Sequence, residues 1–145
     1  MSETEQRARV VAEARSYLGT PYHHAASLKG VGIDCAFLLI ETYFAAGLIK
    51  RFDPRPYTRD WFEHRGEEKF LGLVLERAHE VEKPGVGDVM VFRLGRLFAH
   101  GAIVTRAEPL RIVHAFAQAR CVVEDDVARN AQLAERPARF FSFWG

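Results

Sequence analysis

Cys35 stands directly after Asp34 at the head of the run Gly32-Ile33-Asp34-Cys35-Ala36-Phe37-Leu38-Leu39-Ile40-Glu41-Thr42-Tyr43-Phe44. Asp is a good N-cap residue, so the run reads as a turn that hands one cysteine to the first turn of an apolar helix. There, unpaired backbone N–H groups and the helix dipole favour negative charge, an environment that lowers a thiol pKa from about 8.5 toward neutrality. The chemistry suggested is nucleophilic attack by a thiolate. The competing reading is packing, because isolated cysteines are commonly buried and inert.

A nucleophilic cysteine needs a base within hydrogen-bond reach, and the base needs a third group to hold its ring. Of the histidines, His23, His24, His64, His79, His100 and His114, two lie in strand-like runs: His100-Gly101-Ala102-Ile103-Val104 and Ile112-Val113-His114-Ala115-Phe116. A hairpin centred on Ala107 pairs Val104 with Leu110 and sets His100 opposite His114, with Cβ atoms roughly 4.5–5.5 Å apart on one face of the sheet. A satisfied polar pair at a sheet edge is the alternative. A metal site made of Cys35, His100 and His114 is a third possibility, although these residues lack the short chelating spacing of zinc ligand pairs.

The elements that must position these residues follow from periodicity. Val10, Val11, Ala14, Tyr17 and Leu18 recur at helical spacing between Glu3 and Leu18, and Gly19-Thr20-Pro21 stops that helix. Residues 22–32 read as a loop into the cysteine helix, which is apolar on nearly every face, is therefore buried, and stops at Gly47. Phe70, Leu71, Val74, Leu75 and Ala78 mark a second amphipathic helix ending near His79. From Pro84 on, Asp88–Arg93, His100–Thr105, Arg111–Phe116 and Cys121–Glu124 form a strand meander. Asp125-Asp126 look like the cap of a short helix through Leu133, and Arg139–Trp144 is a last strand. Helices first and strands second predict an α+β fold, the cysteine helix packed on an antiparallel sheet of about five strands, as one domain over residues 1–145.

With 20 basic and 19 acidic residues and no run of five like charges, composition gives no footprint for nucleic acid. No apolar run approaches the roughly 18–20 residues that span a bilayer, and Met1–Arg9 is polar where a signal peptide has an apolar core. The expectation is a chain made in a reducing cytoplasm without a signal peptide and without membrane insertion. Cys35 and Cys121 make no disulfide framework.

Five blocks then carry a resemblance: Ala14-Arg15-Ser16-Tyr17-Leu18-Gly19-Thr20-Pro21-Tyr22; Gly32-Ile33-Asp34-Cys35; Pro84-Gly85-Val86-Gly87-Asp88-Val89-Met90-Val91-Phe92; His100-Gly101-Ala102-Ile103-Val104; and Ile112-Val113-His114-Ala115. In this order they resemble the signature of the NlpC-type cell-wall cysteine peptidases, which have a papain-like core. The segment from Tyr57 to Glu68 resembles the branch encoded with phage tails and gene transfer particles. The resemblance implies Cys35 as nucleophile, His100 as general base and then acid, and His114 as the residue orienting His100. It also implies that Tyr22 contacts substrate or oxyanion, and that Asp34 either caps the helix or holds a peptide amine. No metal or organic cofactor is implied. The implied partner is a peptidoglycan stem peptide, cut between γ-D-glutamyl and a diamino acid, and the implied setting is a bacterial virion or tail-like particle with its tail proteins. Two departures stand out. Ala36-Phe37 replace the Ser-Gly that follows the cysteine in most relatives, which removes a hydroxyl and narrows the expected cleft, and His100-Gly101-Ala102 replaces the commoner His-Val-Gly. No family role falls on His23 or His24, read as exposed loop residues, and Trp61 and His64 read as packing and surface.

Overall fold

A computed structural model describes residues 1–57 and 68–145. Trp61, His64 and most of the tail-like segment lie outside these described residues. The elements run α1 (Glu3–Arg15), β1 (Ser27–Leu28), β2 (Gly32–Ile33), α2 (Cys35–Ala45), α3 (Lys69–Leu75), β3 (His79–Val81), β4 (Val89–Leu94), β5 (Leu97–Arg106), β6 (Arg111–Phe116), β7 (Cys121–Asp126) and β8 (Ala138–Ser142). Six strands form one antiparallel sheet in the order β3-β8-β4-β5-β6-β7, and β1 and β2 pair separately. This is the expected α+β, papain-like architecture with more strands than five. Among the described residues no helix is long and apolar enough to cross a membrane.

Both faces of the sheet are covered. On one face, Val89, Val91, Ala99, Ile103, Val113, Ala115 and Phe141 pack with Val10 and Ala14 of α1 and with much of α2. On the other, Met90, Phe92, Ala102, Val104, Ile112 and Phe116 pack with Val127 and Leu133 from the irregular chain before β8. The strands therefore read as continuous apolar runs rather than alternating ones. The sheet end is tied to the helices by buried Asp88, which accepts from Arg7 Nη1 at 2.9 Å and from the Gly85 amide at 2.7 Å, and by the Tyr43 hydroxyl donating to the Gly87 carbonyl at 2.7 Å.

Four local expectations are corrected. Helix α1 ends at Arg15, so Leu18 falls in a turn and is exposed. The loop 22–32 contains β1. The helix expected to run to His79 stops at Leu75, and His79 opens β3, paired with Ser142. Asp125 and Asp126 do not cap a helix through Leu133; they end β7, because partners across the sheet claim their carboxylates.

Candidate active site

Helix α2 is held at both ends. Asp34 is its N-cap in extended conformation: Oδ1 accepts from the Phe37 amide at 3.0 Å, while Oδ2 accepts from the Ala25 amide at 2.8 Å and from the Tyr57 hydroxyl. At the other end Gly47 takes a positive φ of 79°, the Leu48 amide bonds the Tyr43 carbonyl and the Gly47 amide bonds the Phe44 carbonyl, a Schellman closure. Between these ends, Cys35 through Ile40, with Thr42 and Tyr43, are buried. Cys35 thus occupies the first turn of a rigid, buried helix.

The protonation expected for Cys35 is corrected. Burial, then the charge of Asp34, pushes the thiol up to about 12, against the opposing pull of the Gly101, Ala36 and Cys35 backbone amides. The helix start favours the thiolate as anticipated, and loss of water outweighs it. Cys35 is 7% exposed, with Sγ 3.9 Å from the Ala99 carbonyl oxygen. At pH 7 only about one such thiol in 10⁵ is ionised. Iodoacetamide at pH 7 is therefore expected to alkylate the half-buried Cys121 before Cys35, as peptide mapping would show; modification of Cys35 first would reveal an activated thiolate.

The histidine pair forms, by a register other than the one anticipated. Ile103 pairs with Val113 and Val104 with Ile112, two residues away from a hairpin centred on Ala107, and Thr105 is an extra residue next to the turn. A slip of two preserves the face on which every side chain emerges, whereas a slip of one reverses it. His100 and His114 therefore share a face as diagonal neighbours, with Nε2 of His100 2.8 Å from Nδ1 of His114. His114 Nε2 lies 2.8 Å from Asp125 Oδ2, which also accepts from Asn130 Nδ2 at 3.2 Å. The pair is on interior strands and not at a sheet edge. His114 stacks on Phe116 with ring centroids 4.8 Å apart, and His100 lies 5.9 Å from Phe92 and 5.5 Å from Phe116. Desolvation lowers both imidazoles below their ordinary value; His114 counteracts any charge on His100, while Asp125 partly restores His114.

The structure brings these two histidines together and sets Cys35 apart from them. Phe92, the cross-strand partner of His100, and Phe116 belong to the cluster on the far side of the sheet, whereas Ala99 belongs to the cluster around α2. Gly101 faces α2, since a Cβ there would lie 2.5 Å from Phe70 Cζ and 2.9 Å from Leu39 Cδ2. Cys35 Sγ rests against the β5 backbone on either side of His100, by the Ala99 carbonyl and the Gly101 amide, while the His100 ring leaves by the opposite face. The same separation keeps Cys35, His100 and His114 from converging on one ion, and no cluster suited to a metal occurs among the described residues. The bulge at Ala99 sets this facing. Phe98 pairs with Arg93 and His100 with Phe92, so Ala99 is extra on β5; extending the Phe98 register by one residue would turn position 100 toward α2.

Tyr22 is half-buried against the α2-side core; its amide bonds the Arg120 carbonyl at 2.8 Å and it bridges to Ile33, just before Asp34. The partners of Asp34 are those of a cap and a loop anchor. Tyr57 and Asp125 were not singled out from the sequence. Tyr57 joins Asp34 to the loop before α2: its ring meets His24 edge-on at 5.2 Å and lies 6.4 Å from Phe37, and its carbonyl is 3.1 Å from His24 Nε2. His24 is accordingly half-buried and bonded rather than an exposed loop residue, while His23 is exposed. Phe37 is buried, its ring under the Arg55 guanidinium at 5.2 Å. The position of Asp125 was legible as strand alternation from Val123, had the Asp-Asp pair not suggested a cap.

No protein-family model and no curated protein sequence matches the chain. Its structural neighbours are NlpC/p60 domains. The NlpC/p60 domain of the peptidoglycan hydrolase SagA matches at 22% identity and a TM-score of 0.60, covering 94% of this chain and 97% of that one. The peptidoglycan hydrolase RipB from Mycobacterium tuberculosis matches at 17% identity and a TM-score of 0.62, covering 100% of this chain and 69% of that one. NlpC1 from Trichomonas vaginalis matches at 16% identity and a TM-score of 0.69, covering 100% of this chain and 46% of the longer protein. At these identities the likeness establishes the fold.

Proposed function

We propose that this chain is a cysteine endopeptidase acting on peptidoglycan stem peptides, at the bond between γ-D-glutamyl and a diamino acid. The observation that carries this reading is Cys35 at the capped start of a buried helix, in a fold shared with peptidoglycan hydrolase domains. In the proposed reaction Cys35 Sγ attacks the amide carbonyl and its proton passes to His100, which His114 orients. His100 returns that proton to the departing amine as the C–N bond breaks, leaving a thioester on Cys35. Water, deprotonated by His100, then displaces the thiol and leaves a carboxylate. The first-turn amide of α2 is suited to meet the oxyanion, and Tyr22 lines the approach from the loop. Attack requires the His100 ring to meet Sγ, so position 100 must present itself on the α2 face of β5. The expected result is release of new amine termini from purified sacculi in a Cys35-dependent manner; cleavage of glycan strands instead would oppose it.

A second reading is favoured by one observation: the thiol and the imidazoles are buried and lie on opposite faces of β5. In this reading the chain is a tail or particle component that keeps the fold for binding and assembly, and the segment from Tyr57 to Glu68 supports that setting for either reading.

A further inference from the structure

We infer that Asp125, steadied by Asn130, is a positioning residue that fixes the proton arrangement of the whole histidine pair and leaves Nδ1 of His100 as its lone-pair nitrogen. The argument is one of donors and acceptors. A neutral imidazole donates from one nitrogen and accepts at the other, and an ionised carboxylate only accepts. Asp125 Oδ2 lies 2.8 Å from His114 Nε2, so the proton of His114 sits on Nε2. Nδ1 of His114 then carries a lone pair and accepts from His100 Nε2, 2.8 Å away. His100 thus holds its proton on Nε2 and exposes the lone pair of Nδ1, the form a general base needs. The order runs from the surface inward: the Asp125 side chain is 32% exposed, that of His114 is fully buried, and His100 is 5% exposed. Asn130 supports the same direction, since its Nδ2 donates to the oxygen that His114 uses. Asp125 reaches the pair because it is opposite Ile112 on β7 and diagonal to His114, on the face shared by both rings. Its role is therefore set by strand register.

The use to which the Nδ1 lone pair is put rests on the peptidase reading, but the tautomers do not, and they are measured without substrate. In ¹⁵N-labelled full-length protein near pH 7.5, long-range ¹H–¹⁵N correlation spectra are expected to show the Nε2–H tautomer alone at both His100 and His114. A wild-type spectrum with Nδ1–H at either ring overturns the inference, whatever any variant does. Asp125→Ala is expected to lose this single tautomer at His114 and His100 while the amide spectrum remains dispersed, and Asp125→Glu to recover it at least in part. Unchanged tautomers at both rings in folded Asp125→Ala would also overturn the inference. If Asp125→Ala does not fold, Asn130→Ala serves in its place, with tautomer mixing at His114 expected and an unchanged ring contradicting the proposed steadying role. A protein that shows the predicted tautomers yet cleaves no stem peptide fails the peptidase reading alone.

Discussion

His100→Gln is expected to lower stem-peptide hydrolysis by about 10²–10⁴-fold, the range removed when a positioned general acid–base is lost. The effect is large because the resting thiol is in the wrong protonation state for attack: burial holds it up at about 12, and desolvation holds His100 low, so both partners are neutral. Nucleophilicity must come from proton transfer inside the contact, and that transfer has no receiver once the imidazole is gone. His114→Gln is expected to cost less, since it orients rather than accepts. Steady-state kinetics on a soluble stem peptide, with melting curves to verify folding, check the claim. The loss is expected in kcat and in kcat/KM alike, the mark of an interaction made in the transition state. Equal rates for wild type and His100→Gln would assign the base elsewhere.

Gly101→Ala is expected to destabilise the fold by about 1–3 kcal/mol, the usual cost of overpacking a full core. For a domain of this size that corresponds to a fall of roughly 3–10 °C in Tm. The new methyl would meet Phe70 Cζ at 2.5 Å and Leu39 Cδ2 at 2.9 Å, both side-chain ends that give partly. Thermal unfolding monitored by circular dichroism measures it. The result bears on catalysis as well. An unchanged or raised Tm would mean that Gly101 does not face α2, and by alternation along β5 that His100 does.

This coupling explains how far the site was legible in the sequence. Val, Ile and Phe enrichment marked the strands, and Arg111–Phe116 agrees to the residue. Asp34 as cap and Gly47 as stop were legible because both signals are local, whereas the thiol's protonation depends on burial by β5, sixty residues away. The histidine contact was anticipated from a register that is off by two, and survived because an even slip keeps the face. Which face that is had no local signal: β5 and β6 are buried on both sides, so no polar alternation distinguishes the α2 side from the other. The bulge at Ala99 decides it, and Phe98-Ala99-His100-Gly101 offers no turn residue pattern that announces one. Asp125 was misplaced for a similar reason. Paired aspartates before an apolar residue carry the look of a helix start, and only the position of β6 reveals that His114 and Arg111 draw them into a strand. Strand β3 was hidden by its composition, since His79-Glu80 are exposed and owe their place to backbone pairing with β8.

The most direct test of the central claim is the release of free amine termini from purified sacculi by the wild-type chain and by Cys35→Ala at equal folded concentration, with the products identified by mass spectrometry. The peptidase reading predicts new diamino-acid amines and γ-D-glutamyl carboxylates from the wild type, and at least a roughly 10³-fold lower rate from Cys35→Ala, as expected when a covalent nucleophile is removed. Equal release by the two proteins, or none by a folded wild type, would contradict it.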